Sequence, residues 1–124
     1  MGRWAGQTLQ AVYDGRILQE MALLPEFLPG IMGFQWDEGN SEKNWRRHQV
    51  TQAEAEQVFF NRPVLVSGDP KHSGFEVRYF ALGRTDVDRK IAVTFTLRGS
   101  LLRVISARPM SRREGRVYGQ AQRA

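Results

Sequence analysis

Hydrophobic and polar positions follow two regimes along this chain. From Val64 to Ala107 apolar residues recur at every second position, the period of half-buried strands. Val64–Ser67 is a short strand. In 75–82, Phe75, Val77, Tyr79 and Ala81 take one face, while Glu76, Arg78, Phe80 and Leu82 take the other. In 91–97, Ile91, Val93, Phe95 and Leu97 share a face. Arg98-Gly99-Ser100 leaves room only for a tight turn before Leu101–Ala107, and strands this close in sequence pair as hairpins. Two loops separate the earlier strands: one opens at Gly68-Asp69-Pro70 and holds His72 and Gly74, the other spans Gly83–Lys90.

On either side of this region the spacing is helical. Phe34 and Trp36 alternate on a short strand, and Asp37 is placed to cap a helix that starts near Glu38 and ends near His48-Gln49. That helix is polar, with Trp45 its one large apolar residue. Thr51 and Glu54 form a T-x-x-E capping box opening a second helix, in which Ala55, Val58 and Phe59 make one buried face. Asn61-Arg62-Pro63 ends it. Ser111 and Glu114 repeat the box at the start of a last helix. The expected fold is α+β: two N-terminal helices packed on an antiparallel sheet of about four strands, followed by a C-terminal helix.

Residues 1–31 do not share this regularity. The run TLQAVYDGRILQEM can form a hairpin about Asp14-Gly15-Arg16, but two strands alone are marginal in water. This extension docks on the domain at 32–124, pairs with a partner, or precedes a true start at Met32.

At 124 residues the chain suits one domain with one core. With no cysteine and only His48 and His72 as imidazoles, a disulfide framework and a structural zinc site are excluded, and no cofactor or metal is expected. No apolar run approaches the ~20 residues of a membrane span and no leader pattern opens the chain, so no membrane association and a cytoplasmic location are expected. Charge changes the picture more. From Arg98 to Ala124 seven arginines face one acid, Glu114, a net of +6, whereas the whole chain is +5. Arginine pairs bidentately with phosphate, so a polyanion or an acidic protein is the expected partner.

No nucleophile elbow, phosphate-binding glycine loop or metal-ligand spacing is present. Arginines, two histidines and a strand carboxylate suffice for RNA cleavage without a metal, because the ribose 2′-hydroxyl is itself the nucleophile. Glu76 and Arg78 share a strand face and are either catalytic or half of a cross-strand ion pair. Arg84 follows Gly83 at a strand end, where it reaches a cleft or solvent. Arg103 and Arg108 bracket the last strand; Arg108, before a helix N-terminus, either contacts phosphate or anchors the junction. His48 caps a helix or acts as a base. Trp36 and Trp45 suit core or interface anchoring, and His72 suits solvent. Tyr118 either binds phosphate or packs its ring, and Glu114 is a capping acid.

Taken together, FQWD at 34–37, NWRRHQV at 44–50, TQAEAEQVFF at 51–60, EVRYFALGR at 76–84, AVTFTLRG at 92–99 and RVISARPMSRREGRVY at 103–118 resemble the BrnT family, toxins of type II toxin–antitoxin pairs with a RelE-like fold. The resemblance implies an RNA-cleaving toxin that inhibits translation. Its partner would be a BrnA-like ribbon–helix–helix antitoxin, through which the pair binds DNA. The family's patterned polar positions fall on Trp36, Asp37, Asn44, Arg47, His48, Glu76, Arg78, Arg84, Arg108, Arg112 and Tyr118. Glu76, Arg78, Arg84, Arg108 and His48 are the expected catalytic residues, and Lys43, Arg47, Arg103, Arg112, Arg113 and Tyr118 the expected RNA contacts. Asn40 stands where the family usually has lysine, a change that weakens activity unless Lys43 substitutes, and Gln49 stands where it has glycine. The competing readings are a non-catalytic basic module that docks an antitoxin or nucleic acid, and a disabled toxin.

Overall fold

Among the described residues six strands and three helices follow one another as β1 (Ala22–Leu23), β2 (Gly33–Gln35), α1 (Glu38–His48), α2 (Gln52–Gln57), β3 (Leu65–Gly68), β4 (Arg78–Arg84), β5 (Lys90–Arg98), β6 (Leu101–Pro109) and α3 (Arg112–Arg123). This computed structural model describes residues 22–23, 30–68 and 76–124. The expected hairpin about Asp14-Gly15 lies outside the described residues, as do His72, Gly74 and Phe75.

β3 to β6 form the expected antiparallel meander, and Gly99, at φ 63°, makes the two-residue turn between β5 and β6. The sheet as a whole is mixed, which corrects the antiparallel expectation. Its order is β1-β3-β4-β5-β6-β2, and β2 runs parallel to β6 with Gly33 opposite Leu101 and Gln35 opposite Arg103. The chain leaves β2 through two helices and three strands before reaching its partner, so no short turn forces an antiparallel return. Alternation at Phe34 and Trp36 marks a strand but not its neighbour.

β4 also starts later than expected. Glu76 precedes it, and it continues through Gly83 to Arg84. A Cβ on Gly83 would strike Val58, so glycine is what lets α2 approach this strand.

Each face of the sheet is covered differently. Val50, Ala55 and Val58 pack from the α1–α2 side on Ala81, Ile91, Val93, Phe95, Leu102, Val104 and Ala107, forming the main core. Val117 and Tyr118 of α3 pack on Leu65, Leu82 and Ala92 on the opposite face, with Phe80, Met110 and Ala121 partly buried against this second cluster. All three expected capping residues, Asp37, Thr51 and Ser111, accept from the backbone N–H three residues on.

α1 also finishes a sheet edge. β2 covers β6 only as far as Arg103; beyond it, Asn40 Nδ2 donates to the Val104 carbonyl at 2.9 Å and Asn44 Oδ1 accepts from the Ala107 N–H at 3.0 Å. Two buried amides thus satisfy backbone groups that would otherwise be orphaned.

Candidate active site

Where the N-terminus of α1 meets the ends of β4, β5 and β6, an open cleft of about 730 Å³ is lined by Asp37, Asn40, Lys43, Glu76, Arg78, Arg98 and Arg103. Antiparallel pairing assembles it from distant sequence: Arg78 is opposite Thr96, which is opposite Arg103 on the far strand. α1 contributes Lys43, in its second turn.

The cleft side chains form a hydrogen-bonded chain across the sheet. Arg98 grips Glu76 with two bonds, Nε to Oε2 at 2.7 Å and Nη2 to Oε1 at 3.2 Å. Gln35 Oε1 accepts from both Arg98, at 3.2 Å, and Arg103, at 3.5 Å. Arg103 in turn pairs with Asp37 at 3.0 Å. The Arg98 hydrogen bond holds the Glu76 carboxyl below its ordinary value, with Arg103 and Arg78 adding to the effect. Asp37 is lowered by the Asn40 N–H and then by Arg103. Both acids are therefore carboxylates at neutral pH, and neither serves as a proton donor there.

The expected site residues divide into two groups. Glu76, Arg78, Lys43 and Arg103 meet in this cleft. Arg84 and Arg108 do not: Arg84 is six residues from Arg78 along β4, about 20 Å at strand rise. Arg84 donates to the Arg62 carbonyl at 2.9 Å, and Arg108 places its fork on Glu114 at 2.8 and 2.9 Å. Three arginines around one phosphate is thus corrected to a separated arrangement. Arg108 anchors the strand-to-helix junction.

Tyr118, expected as an RNA contact, is a core residue. It is fully buried, its hydroxyl donates to the Pro63 carbonyl at 2.7 Å, and burial pushes its pKa up to about 12. His48 closes α1 about 12 Å of helix beyond Asn40, where its carbonyl accepts from Arg89. Arg47, Arg112 and Arg113 are exposed on helices outside the cleft.

Sequence reasoning passed over Arg98 and Gln35. In the sequence Arg98 stands only in the basic C-terminal stretch and in a turn, yet it is two residues beyond Thr96 on β5 and so shares a face with it. Asn40, at the position of the family lysine, is 6% exposed and completes the α1 capping box by accepting from the Asp37 N–H at 2.8 Å. Gln49, at the position of the family glycine, is left-handed at φ 58°.

The family model described as "Ribonuclease toxin, BrnT, of type II toxin-antitoxin system" matches residues 36–114, a stretch that contains every residue named in the cleft except Gln35. The crystal structure of the Brucella abortus ribonuclease toxin BrnT is similar, at 29% identity and a TM-score of 0.48, over 65% of this chain and 99% of that one. Among curated proteins none matches. With well over half of the chain inside the family model, this protein belongs to the BrnT family of ribonuclease toxins of type II toxin–antitoxin systems.

Proposed function

We propose that this protein is an endoribonuclease whose active site is the Lys43–Arg78–Arg98–Arg103 cleft. One observation carries the reading: four cations from four different elements converge around a carboxylate in one open cleft. The ribose 2′-oxygen attacks the adjacent phosphorus as the bond to the 5′-oxygen breaks. The 2′-hydroxyl proton passes to Glu76, the leaving oxygen takes a proton from water, and the product is a 2′,3′-cyclic phosphate. The arginines and Lys43 stabilise the charge that grows on the phosphoryl oxygens. Arg98 holds the Glu76 pKa down, which makes it a weaker base than a free carboxylate.

The expected setting is RNA cleavage in the cytoplasm that inhibits translation, on a RelE-like scaffold. A BrnA-like ribbon–helix–helix antitoxin neutralises the toxin and carries the pair to DNA. Among the described residues no helix is long and apolar enough to cross a membrane.

A second reading has its own support. Arg98 and Arg103 are already engaged by Glu76 and Asp37, as they would be in a module that only docks a partner. Incubating RNA with the purified protein and EDTA separates the two. Fragments ending in 2′,3′-cyclic phosphate and 5′-hydroxyl are expected of the enzyme; intact RNA beside retained partner binding would favour the docking module.

A further inference from the structure

α3 covers one end of its sheet face, and Phe80, partly buried against that cluster, opens a row between it and the cleft. Phe80, Thr94 and Ser106 stand opposite one another in a single cross-strand row, all three partly exposed. The next row toward the cleft is Arg78, Thr96 and Arg103. On the other side Arg108, fixed by Glu114, lies over the Phe80 ring at 6.0 Å from its centroid. Among the described residues neither the Thr94 nor the Ser106 hydroxyl has a hydrogen-bond partner, in contrast to Thr96, whose hydroxyl donates to the Val77 carbonyl at 2.7 Å.

We infer that this row is a nucleobase subsite, in which a base of single-stranded RNA stacks on Phe80 while the neighbouring phosphate sits in the arginine cleft. Sheet aromatics are general stacking platforms for unpaired bases, because every base has a π-face and a sheet surface is flat enough to receive it. Thr94 and Ser106 are short, so they leave space over the sheet, and their hydroxyls can donate to or accept from a base edge. Arg78 is two residues from Phe80 on the same face, about 7 Å along the strand, so ring and guanidinium can serve one nucleotide together. The inference rests on the ribonuclease reading for its substrate, but it concerns binding rather than chemistry.

Binding of a short single-stranded oligodeoxynucleotide of mixed sequence, which lacks the 2′-hydroxyl and cannot be cleaved by this route, is compared with binding of an abasic sugar-phosphate strand of equal length. The full chain and Phe80→Leu, which keeps apolar bulk but no π-face, are measured by fluorescence anisotropy. The wild type should prefer the base-bearing strand by about fivefold or more. Phe80→Leu should lose that preference and still bind the abasic strand as the wild type does, which also shows that it is folded; Phe80→Tyr should keep the preference. Equal wild-type affinity for the two strands, or an unchanged preference in Phe80→Leu, would overturn the subsite even if RNA is cleaved. A base preference that depends on Phe80 in a protein that leaves RNA intact would uphold the subsite and sink the ribonuclease reading instead.

Discussion

Gln49 carries a backbone cost that glycine would not. It is left-handed at the C-terminus of α1, where an L side chain costs about 1–2 kcal/mol, and its amide recovers part of this by donating to the Trp45 carbonyl at 3.1 Å. Gln49→Gly should therefore raise stability by about 0.5–1 kcal/mol after the entropy of glycine in the unfolded chain is counted, visible as a small rise in the urea midpoint; a fall would contradict the αL assignment. Tyr118 makes a pH prediction. Burial raises its folded pKa from 10.0 to about 12, so its contribution to stability is complete below pH 10 and is lost as pH rises from 10 to 12. Of the three tyrosines, one should ionise last by ultraviolet absorbance, and Tyr118→Phe should remove that phase. The position of Tyr118 on a helix was legible, but the distant Pro63 carbonyl that accepts its hydrogen bond was not. Asn40 likewise has a distant partner: it joins the α1 cap at Asp37 and seals the sheet edge at the Val104 carbonyl.

Helix starts are the elements that sequence specifies best, because a cap and the N–H group it accepts from lie within one turn of each other. Asp37, Thr51 and Ser111 were all readable for that reason. The meander was readable too, since its turns are short. The parallel β2 was not, because its pairing is decided by where two helices and three strands return the chain. The junction between α1 and α2 was equally hidden. Arg89, from the loop before β5, pairs with Glu54 of the second capping box at 2.9 Å and donates to the Gln49 carbonyl, also at 2.9 Å. It fastens the end of one helix to the start of the next. Burial raises the Glu54 pKa, but the Thr51 N–H and Arg89 more than offset this and hold the carboxyl below its ordinary value. Arg89→Met keeps the apolar stem and removes these bonds, so it should lower stability by about 1–3 kcal/mol without changing the denaturant slope. A loss within a few tenths would mean that the apolar contacts of α2 hold this corner unaided.

For the whole molecule, the +6 of the C-terminal stretch is not one surface. Arg98 and Arg103 go to the cleft, Arg108 goes to Glu114, and Arg112 and Arg113 remain on α3. Charge in sequence thus found the partner class but not the site, because strand pairing sends neighbouring arginines to opposite ends of the sheet. If four cleft cations meet RNA phosphates, the logarithm of affinity should fall with the logarithm of salt at a slope of about −3, and Arg103→Gln should reduce its magnitude by about 0.7. A slope unchanged in Arg103→Gln would remove that residue from the phosphate contacts. The most direct test compares rates of RNA cleavage in EDTA for the wild type, Arg78→Gln, Arg103→Gln and the double variant Arg112→Gln with Arg113→Gln. Each cleft substitution should slow cleavage by about a hundredfold with the folded circular-dichroism spectrum retained, while the α3 pair stays within about twofold of wild type. Wild-type rates in both cleft variants, with loss of activity in the α3 pair, would place the chemistry on the C-terminal helix and contradict the cleft.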